Sequence, residues 1–194
     1  MTYTPKDRFF HKAKVDGYLA RSIYKLEEIQ KKFCVLKPGD FVLDLGASPG
    51  SWSQFACKVV GSKGRVVGLD LKPVEFKAPN AAFYEMDIFA FDQSILEGRN
   101  VNCLLSDMAP NTTGIRSVDQ ARSADLCSEL LKVAQTHLSP KGHLVMKLFE
   151  GPDVEKIAKE FGRMFEQSKR LKPEAVRKGS FETYFIGLTK KPDQ

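Results

Sequence analysis

The sequence predicts an α/β fold: a mostly parallel sheet of about seven strands with helices on both faces. Three observations carry this. Short apolar runs alternate with apolar stripes at helical spacing along the chain. The run Phe41-Val-Leu-Asp-Leu45 meets the small-residue turn Gly46-Ala-Ser-Pro-Gly50, and a helical stretch opens at Ser51. Past that turn, the run Arg65-Val-Val-Gly-Leu69 ends at an acid, Asp70. Strand, glycine turn and helix, with an acid at the end of the next strand, are how open α/β sheets hold a nucleotide-like ligand.

The elements follow in order. Residues 1–17 mix aromatics with lysines and read as a poorly specified basic arm, leaving 18–194 as a single domain. Residues 18–33 read as a helix with the stripe Leu19, Ile23, Leu26, Ile29 and Phe33. Arg21, Lys25, Glu28 and Lys32 fall on another face of it. In the helix after the glycine turn, Trp52, Phe55, Ala56, Val59 and Val60 recur at helical spacing. The second strand covers Val66 to Asp70, the third Ala82 to Met86, and the fourth Val101 to Ser106, followed by Asp107. A long helix spans Val118 to Leu138, with Ser117 read as its cap. The fifth strand is His143 to Phe149. The next helix is capped by Asp153 and carries Val154, Ile157, Ala158, Phe161, Met164 and Phe165 as its stripe. An edge strand and loop fall within 168–178, and the last strand is Thr183 to Thr189.

Hydrophobic residues make up 42% of the chain and charged residues 28%, which excludes the disordered and fibrous classes. No apolar run reaches the length of a membrane span. The N-terminus lacks the apolar stretch of a secretory signal, so the cytoplasm is expected, with an organelle left open. Cys34, Cys57, Cys103 and Cys127 form no C-x-x-C pair and read as reduced core thiols. The three histidines show no metal-ligand spacing, so no metal is expected. The net charge of +6 is uneven. Residues 1–37 hold nine Lys or Arg against four acids, residues 163–194 hold eight against four, and the middle holds thirteen against sixteen. Basic ends around a slightly acidic core fit a polyanionic partner such as nucleic acid; solvated basic faces explain the same charge equally well.

The turn decides the ligand class. A dinucleotide would call for G-x-G-x-x-G, with a middle glycine that lets the pyrophosphate approach. Here Pro49 stands in the turn and has no N–H to offer a phosphate. S-adenosylmethionine carries an adenosine and an amino-acid tail but no phosphate. Three acids, Asp44, Asp70 and Asp87, suit its ammonium, ribose diol and adenine amino group and suit a pyrophosphate badly. NAD remains the competitor. The chemistry is expected at the carboxyl ends of the strands, where Asp107 follows the fourth strand and Glu182 precedes the last. Lys147 lies inside the apolar strand Leu-Val-Met-Lys-Leu-Phe, where a lysine is costly unless it is paired or functional; snorkelling from a sheet edge is the bland alternative.

Five segments, in this order, then resemble the FtsJ/RrmJ family of ribosomal RNA 2′-O-ribose methyltransferases. They are Arg21-Ser-Ile-Tyr-Lys25-Leu, Asp44-Leu-Gly-Ala-Ser-Pro-Gly-Ser-Trp52-Ser-Gln, Ser106-Asp-Met-Ala-Pro-Asn111, Val145-Met-Lys147-Leu-Phe and Ser180-Phe-Glu182-Thr-Tyr. The likeness runs from about Tyr18 to Leu188. It implies a class I, Rossmann-like S-adenosylmethionine-dependent methyltransferase fold. It also implies a Lys–Asp–Lys–Glu tetrad at Lys25, Asp107, Lys147 and Glu182, and cofactor contacts at Gly50, Trp52, Asp70, Asp87 and Asp107. Two departures stand out: Ser51 replaces a second small residue, often glycine, and Phe181 stands beside the tetrad glutamate where bacterial members often carry a basic residue. The second bears on RNA contact rather than on the chemistry.

The implied function is methylation of a uridine ribose in 23S-type ribosomal RNA, with ribosomal RNA or the large subunit as partner, no membrane, and a monomeric enzyme. A ribose 2′-hydroxyl must lose its proton as it attacks a methyl group, and a lysine can take that proton only as the free amine. The resemblance gives Lys147 that role, Lys25 and Glu182 the orientation of the ribose, and Asp107 the positioning of Lys147. A tRNA 2′-O-methyltransferase of the same family and a non-catalytic RNA-binding protein on this fold are the alternatives. A base-amino methyltransferase would want an Asp/Asn-Pro-Pro-aromatic segment, and Asp107-Met-Ala-Pro lacks the aromatic.

Overall fold

The computed structural model describes residues 7–192. Seven strands form one sheet: β1 (Phe41–Leu45), β2 (Arg65–Asp70), β3 (Ala81–Glu85), β4 (Val101–Ser106), β5 (Leu138–Phe149), β6 (Phe165–Leu171) and β7 (Glu182–Lys190). Their order is β3-β2-β1-β4-β5-β7-β6. The first five run parallel, and β7 lies antiparallel between β5 and β6. The strand order reverses between β1 and β4, so the crevice outside their carboxyl ends is the topological switch point where such sheets bind ligands.

Among the described residues, helix α1 (Arg8–Val15) packs on α2 (Ile23–Phe33), and α2, α3 (Ser51–Val60), α4 (Arg116–His137) and α5 (Val154–Met164) flank the sheet. Strand alternation sorts the core into two layers. Leu43, Leu45, Leu104, Met146 and Leu148 face α4 and α5, while Val42, Val66, Cys103, Leu105, Val145, Tyr184 and Ile186 face α2 and α3. The same parity carries Asp107, Lys147, Tyr184 and Glu182 onto the α2 side. Gly46 holds φ +81, and a Cβ there would lie 2.6 Å from the Met108 side chain, so the turn after β1 requires glycine.

Several boundaries differ from the sequence reading, each for a local reason. Residues 8–15 form a helix rather than unspecified chain: Asp7 caps it by accepting from Phe10 N, and Phe9 packs its ring 5.5 Å from that of Tyr24. The helix expected over 18–33 starts at Ile23, because Ser22 is drawn into tertiary bonds. Its carbonyl accepts from Trp52 Nε1 and its hydroxyl pairs with that of Ser51. Leu19 is consequently exposed. Helix α4 begins at Arg116, before Ser117; its first turn is tied instead by Asp119, which accepts from Thr113 N, Thr113 Oγ1 and Gly114 N. Phe165 leaves the preceding helix and opens β6, and Asp153 flanks α5 without a side-chain cap bond. Three cysteines are buried thiols as expected, but Cys34 is exposed, in a left-handed conformation after α2. No helix of the described residues is long and apolar enough to cross a membrane.

Candidate active site

The carboxyl ends of β1, β2 and β4 enclose a cavity of about 400 Å³. Gly46, Ser48 and Pro49 of the turn line one side, and Leu69, Met86, Ile88, Met108 and Leu126 give it apolar walls. Three acids reach it: Asp70, Asp87 and Asp107. Asp70 is held by two backbone amides, those of Ser48 at 3.0 Å and Lys72 at 2.9 Å, which leaves each oxygen a further lone pair. Asp87 caps a short 3-10 turn through Phe89 N.

Asp44 is not in the cavity wall, and Asp107 stands there as the third acid. Asp44 is fully buried on the α3 side of β1, where Ser53 Oγ donates to Oδ2 at 2.6 Å and Oδ1 has no hydrogen-bond partner among the described residues. Burial pushes its carboxyl up to about 7, with the neighbouring charges of Asp107 and Asp70 adding to the effect. Gly50 and Trp52 are not among the residues lining the cavity either. Gly50 flanks the start of α3 at φ +120, where a Cβ would collide with Phe76. Trp52 is buried, bonded to Ser22 O, with its ring 6.0 Å from that of Tyr184.

The four tetrad residues converge beside this cavity. Lys147 Nζ donates to Asp107 Oδ1 at 2.8 Å and to the Asp107 carbonyl. Lys25 Nζ lies 3.8 Å from the same carboxylate oxygen and 2.6 Å from Glu182 Oε1. Burial alone would raise Asp107; Lys147, Lys25 and the Tyr184 hydroxyl outweigh it and hold the carboxyl below its usual range. Lys147 is therefore paired, not snorkelling: its side chain is 7% exposed.

Tyr184 escaped the sequence reading. Its hydroxyl donates to Asp107 Oδ1 at 2.6 Å, and the Lys25 ammonium lies 5.6 Å from its ring centroid. Burial and the Asp107 charge push this phenol well above its ordinary range, so it stays a donor. The signal was available: Tyr184 lies two residues past Glu182 in a strand, hence on the same face.

A second hollow of about 260 Å³ opens on the far side of the tetrad, between the start of α2 and the 172–181 loop. Arg21, Lys25, Arg177, Ser180 and Glu182 line it. Arg21 does not simply project into it: its guanidinium pairs with Asp7 and donates to Ala175 O.

The donor set fits S-adenosylmethionine. Acids reach the cavity at three points, the only basic side chain in its wall among the described residues is Lys72, and Pro49 replaces an amide where a phosphate would need one. A cavity of this size between apolar walls is ordinary for a cofactor.

A chain from Bdellovibrio bacteriovorus named ribosomal RNA large subunit methyltransferase E is 48% identical over 98% of this chain and 100% of its own length. A Syntrophobacter fumaroxidans chain of the same name is 48% identical over 97% of this chain and 98% of its own. A Plasmodium falciparum crystal structure described as a ribosomal RNA methyltransferase superposes with TM-score 0.78 at 24% identity, covering 91% of this chain and 100% of that one, and so shares the fold. The profile of FtsJ-like methyltransferases matches residues 18–190. With that span matched and relatives this similar along their whole length, the chain is a member of the FtsJ-like methyltransferase family, and an enzyme.

Proposed function

We propose that the chain transfers the methyl group of S-adenosylmethionine to a ribose 2′-hydroxyl of large-subunit ribosomal RNA, at a uridine of 23S-type RNA. One observation carries the reading. Asp107 lines the cofactor cavity and at the same time collects Lys147, Lys25 and Tyr184, while Lys25 and Glu182 line the second hollow. A donor site and an acceptor site thus meet at one charged cluster. The relatives' names supply the RNA.

When bound, S-adenosylmethionine supplies an electrophilic methyl carbon on a sulfonium. Asp70 holds its ribose diol, Asp87 its adenine amino group, and Asp107 its charged tail. Gly50 keeps the turn close to it, and Trp52 supports the turn from behind. Lys25 and Glu182 orient the acceptor ribose. Lys147, entering as the free amine, takes the 2′-hydroxyl proton as the oxygen–carbon bond forms and the carbon–sulfur bond breaks. Asp107 and Tyr184 fix where the Lys147 nitrogen sits, and that positioning supplies much of the rate. The catalytic domain is residues 18–194, and helix α1, packed on α2, adds basic side chains toward RNA. The enzyme works as a monomer in the cytoplasm, on ribosomal RNA or the large subunit.

The test is transfer of tritium from labelled S-adenosylmethionine to large-subunit RNA, followed by alkaline hydrolysis. A 2′-O-methyl group blocks cleavage of the adjacent phosphodiester, so label in alkali-resistant dinucleotides is expected. Label in mononucleotides means a methylated base and overturns the reading.

A further inference from the structure

The 2′-hydroxyl is the same on every nucleotide, so the tetrad cannot say which base accompanies the ribose it holds. A base needs a contact of its own, and the structure offers one at the lip of the tetrad. Phe181 immediately precedes Glu182. Its ring is partly exposed and meets that of Phe149 in a T-shaped contact, with centroids 4.7 Å apart and planes at 71°. Phe149 is buried, two residues beyond Lys147, so it is a fixed wall. The backbone is fixed as well: Glu150 N donates to Phe181 O at 2.7 Å. The Arg116 guanidinium lies 5.3 Å from the Phe181 centroid. Arg116 is exposed, and among the described residues it has no carboxylate partner. Ile115 and Val118, which flank Arg116 in the chain, are 60% and 36% exposed.

We propose that Phe181, together with Arg116, forms a stacking platform for one nucleobase of the substrate RNA strand. The proposal rests on the reading that an RNA strand presents its ribose to the tetrad. A partly exposed aromatic ring beside an exposed cation is an arrangement with which proteins hold single-stranded bases: the ring takes the π-face of any base, and the cation adds attraction for the ring and the strand's phosphates. Phe181 directly precedes Glu182 in the chain, so a base stacked there belongs to the target nucleotide or a near neighbour. The apolar exposure is one ring and two aliphatic side chains, too little for the core of a stable protein interface. An exposed aromatic that served only to pack Phe149 would need no cation over it.

The experiment reads RNA affinity by fluorescence anisotropy, using a labelled single-stranded RNA and a series of the same RNA with one abasic ribose at each position. Phe181→Leu keeps the apolar packing on Phe149 and removes the π-face. It is expected to weaken RNA binding about 10-fold, with S-adenosylmethionine affinity and the thermal midpoint unchanged. Phe181→Trp is expected to bind at least as tightly as the native chain. One abasic position should weaken the native protein by a similar factor and the Leu variant hardly at all. Such non-additivity marks a direct contact, which a merely structural role would not produce. Native affinity in the Leu variant overturns the proposal, and so do abasic losses that add in full at every position. The native protein alone also tests it, since indifference to every abasic substitution is a refutation. Label on a base in the alkaline assay would overturn the ribose reading alone and would leave the coupling between Phe181 and the abasic position intact.

Discussion

Replacing Lys147 by Met removes one partner from a cluster that is largely shielded from water. The side chains of Lys147 and Asp107 are 7% and 17% exposed, and their bond is 2.8 Å. Breaking one side of such a pair costs about 3–5 kcal/mol, because the other charge stays buried without its partner. Here Tyr184 remains on Asp107 at 2.6 Å and Lys25 at 3.8 Å, which offsets part of the loss. We therefore expect the low end, about 3 kcal/mol. Asp107→Asn should cost a similar amount, since the ammonium groups of Lys25 and Lys147 then share no carboxylate. The double variant removes both charges, while Lys25 keeps Glu182 at 2.6 Å. It should lose little more than either single variant, a coupling of about 3 kcal/mol. The assay is urea unfolding of the four proteins at one pH, extrapolated to water. Losses that add to within about 0.5 kcal/mol would refute the reasoning, because they would mean that the two groups do not feel each other.

Asp70→Ala should weaken S-adenosylmethionine by about 1–3 kcal/mol; unchanged affinity by calorimetry would remove Asp70 from the cofactor ribose. Burial raises the Asp44 carboxyl from 3.8 to about 7, so between these values the folded chain holds a proton that the unfolded chain has released. Stability from this group therefore falls as pH rises from about 4 to 7, by on the order of 4 kcal/mol. Asp44→Asn should be less pH-dependent than the native chain by that slope in urea unfolding, and parallel curves would contradict it. Arg8, Lys12 and Lys14 are exposed on α1, so changing all three to Gln should reduce the salt slope of RNA binding by about 2, at roughly 0.7 per contact; an unchanged slope would mean they face only solvent.

Part of the site was legible from local pattern: Asp107 follows an apolar strand, Glu182 precedes another and Lys147 interrupts a third, and the resemblance to the FtsJ/RrmJ family joined them with Lys25. Alternation then puts Tyr184 on the face of Glu182, but its own apolar character hid it in a strand of Tyr, Phe and Ile. The turn was legible from Pro49 and the glycines, and Asp107 at the cavity from the resemblance, whereas the withdrawal of Asp44 from the cavity wall was not, because it depends on the packing of α3 against β1. Helix α1 was missed since its order comes from Asp7 as a cap and from Phe9 packing on Tyr24, contacts that cross a turn. The late start of α2 has the same origin: Ser22 serves Trp52 and Ser51 in place of its own helix. Local pattern set the elements, and tertiary bonds moved their ends.

The measurement that bears most directly on the proposed chemistry is single-turnover methylation of RNA from pH 6 to 10 by the native chain, Lys147→Ala and Lys147→Arg. If Lys147 takes the 2′-hydroxyl proton, the native rate rises with pH as the free amine becomes available. Both variants should then be inactive while still binding S-adenosylmethionine, because arginine keeps the charge but does not give up its proton. Measurable turnover by Lys147→Arg would show that a positive charge suffices, and turnover by Lys147→Ala would remove Lys147 from the mechanism.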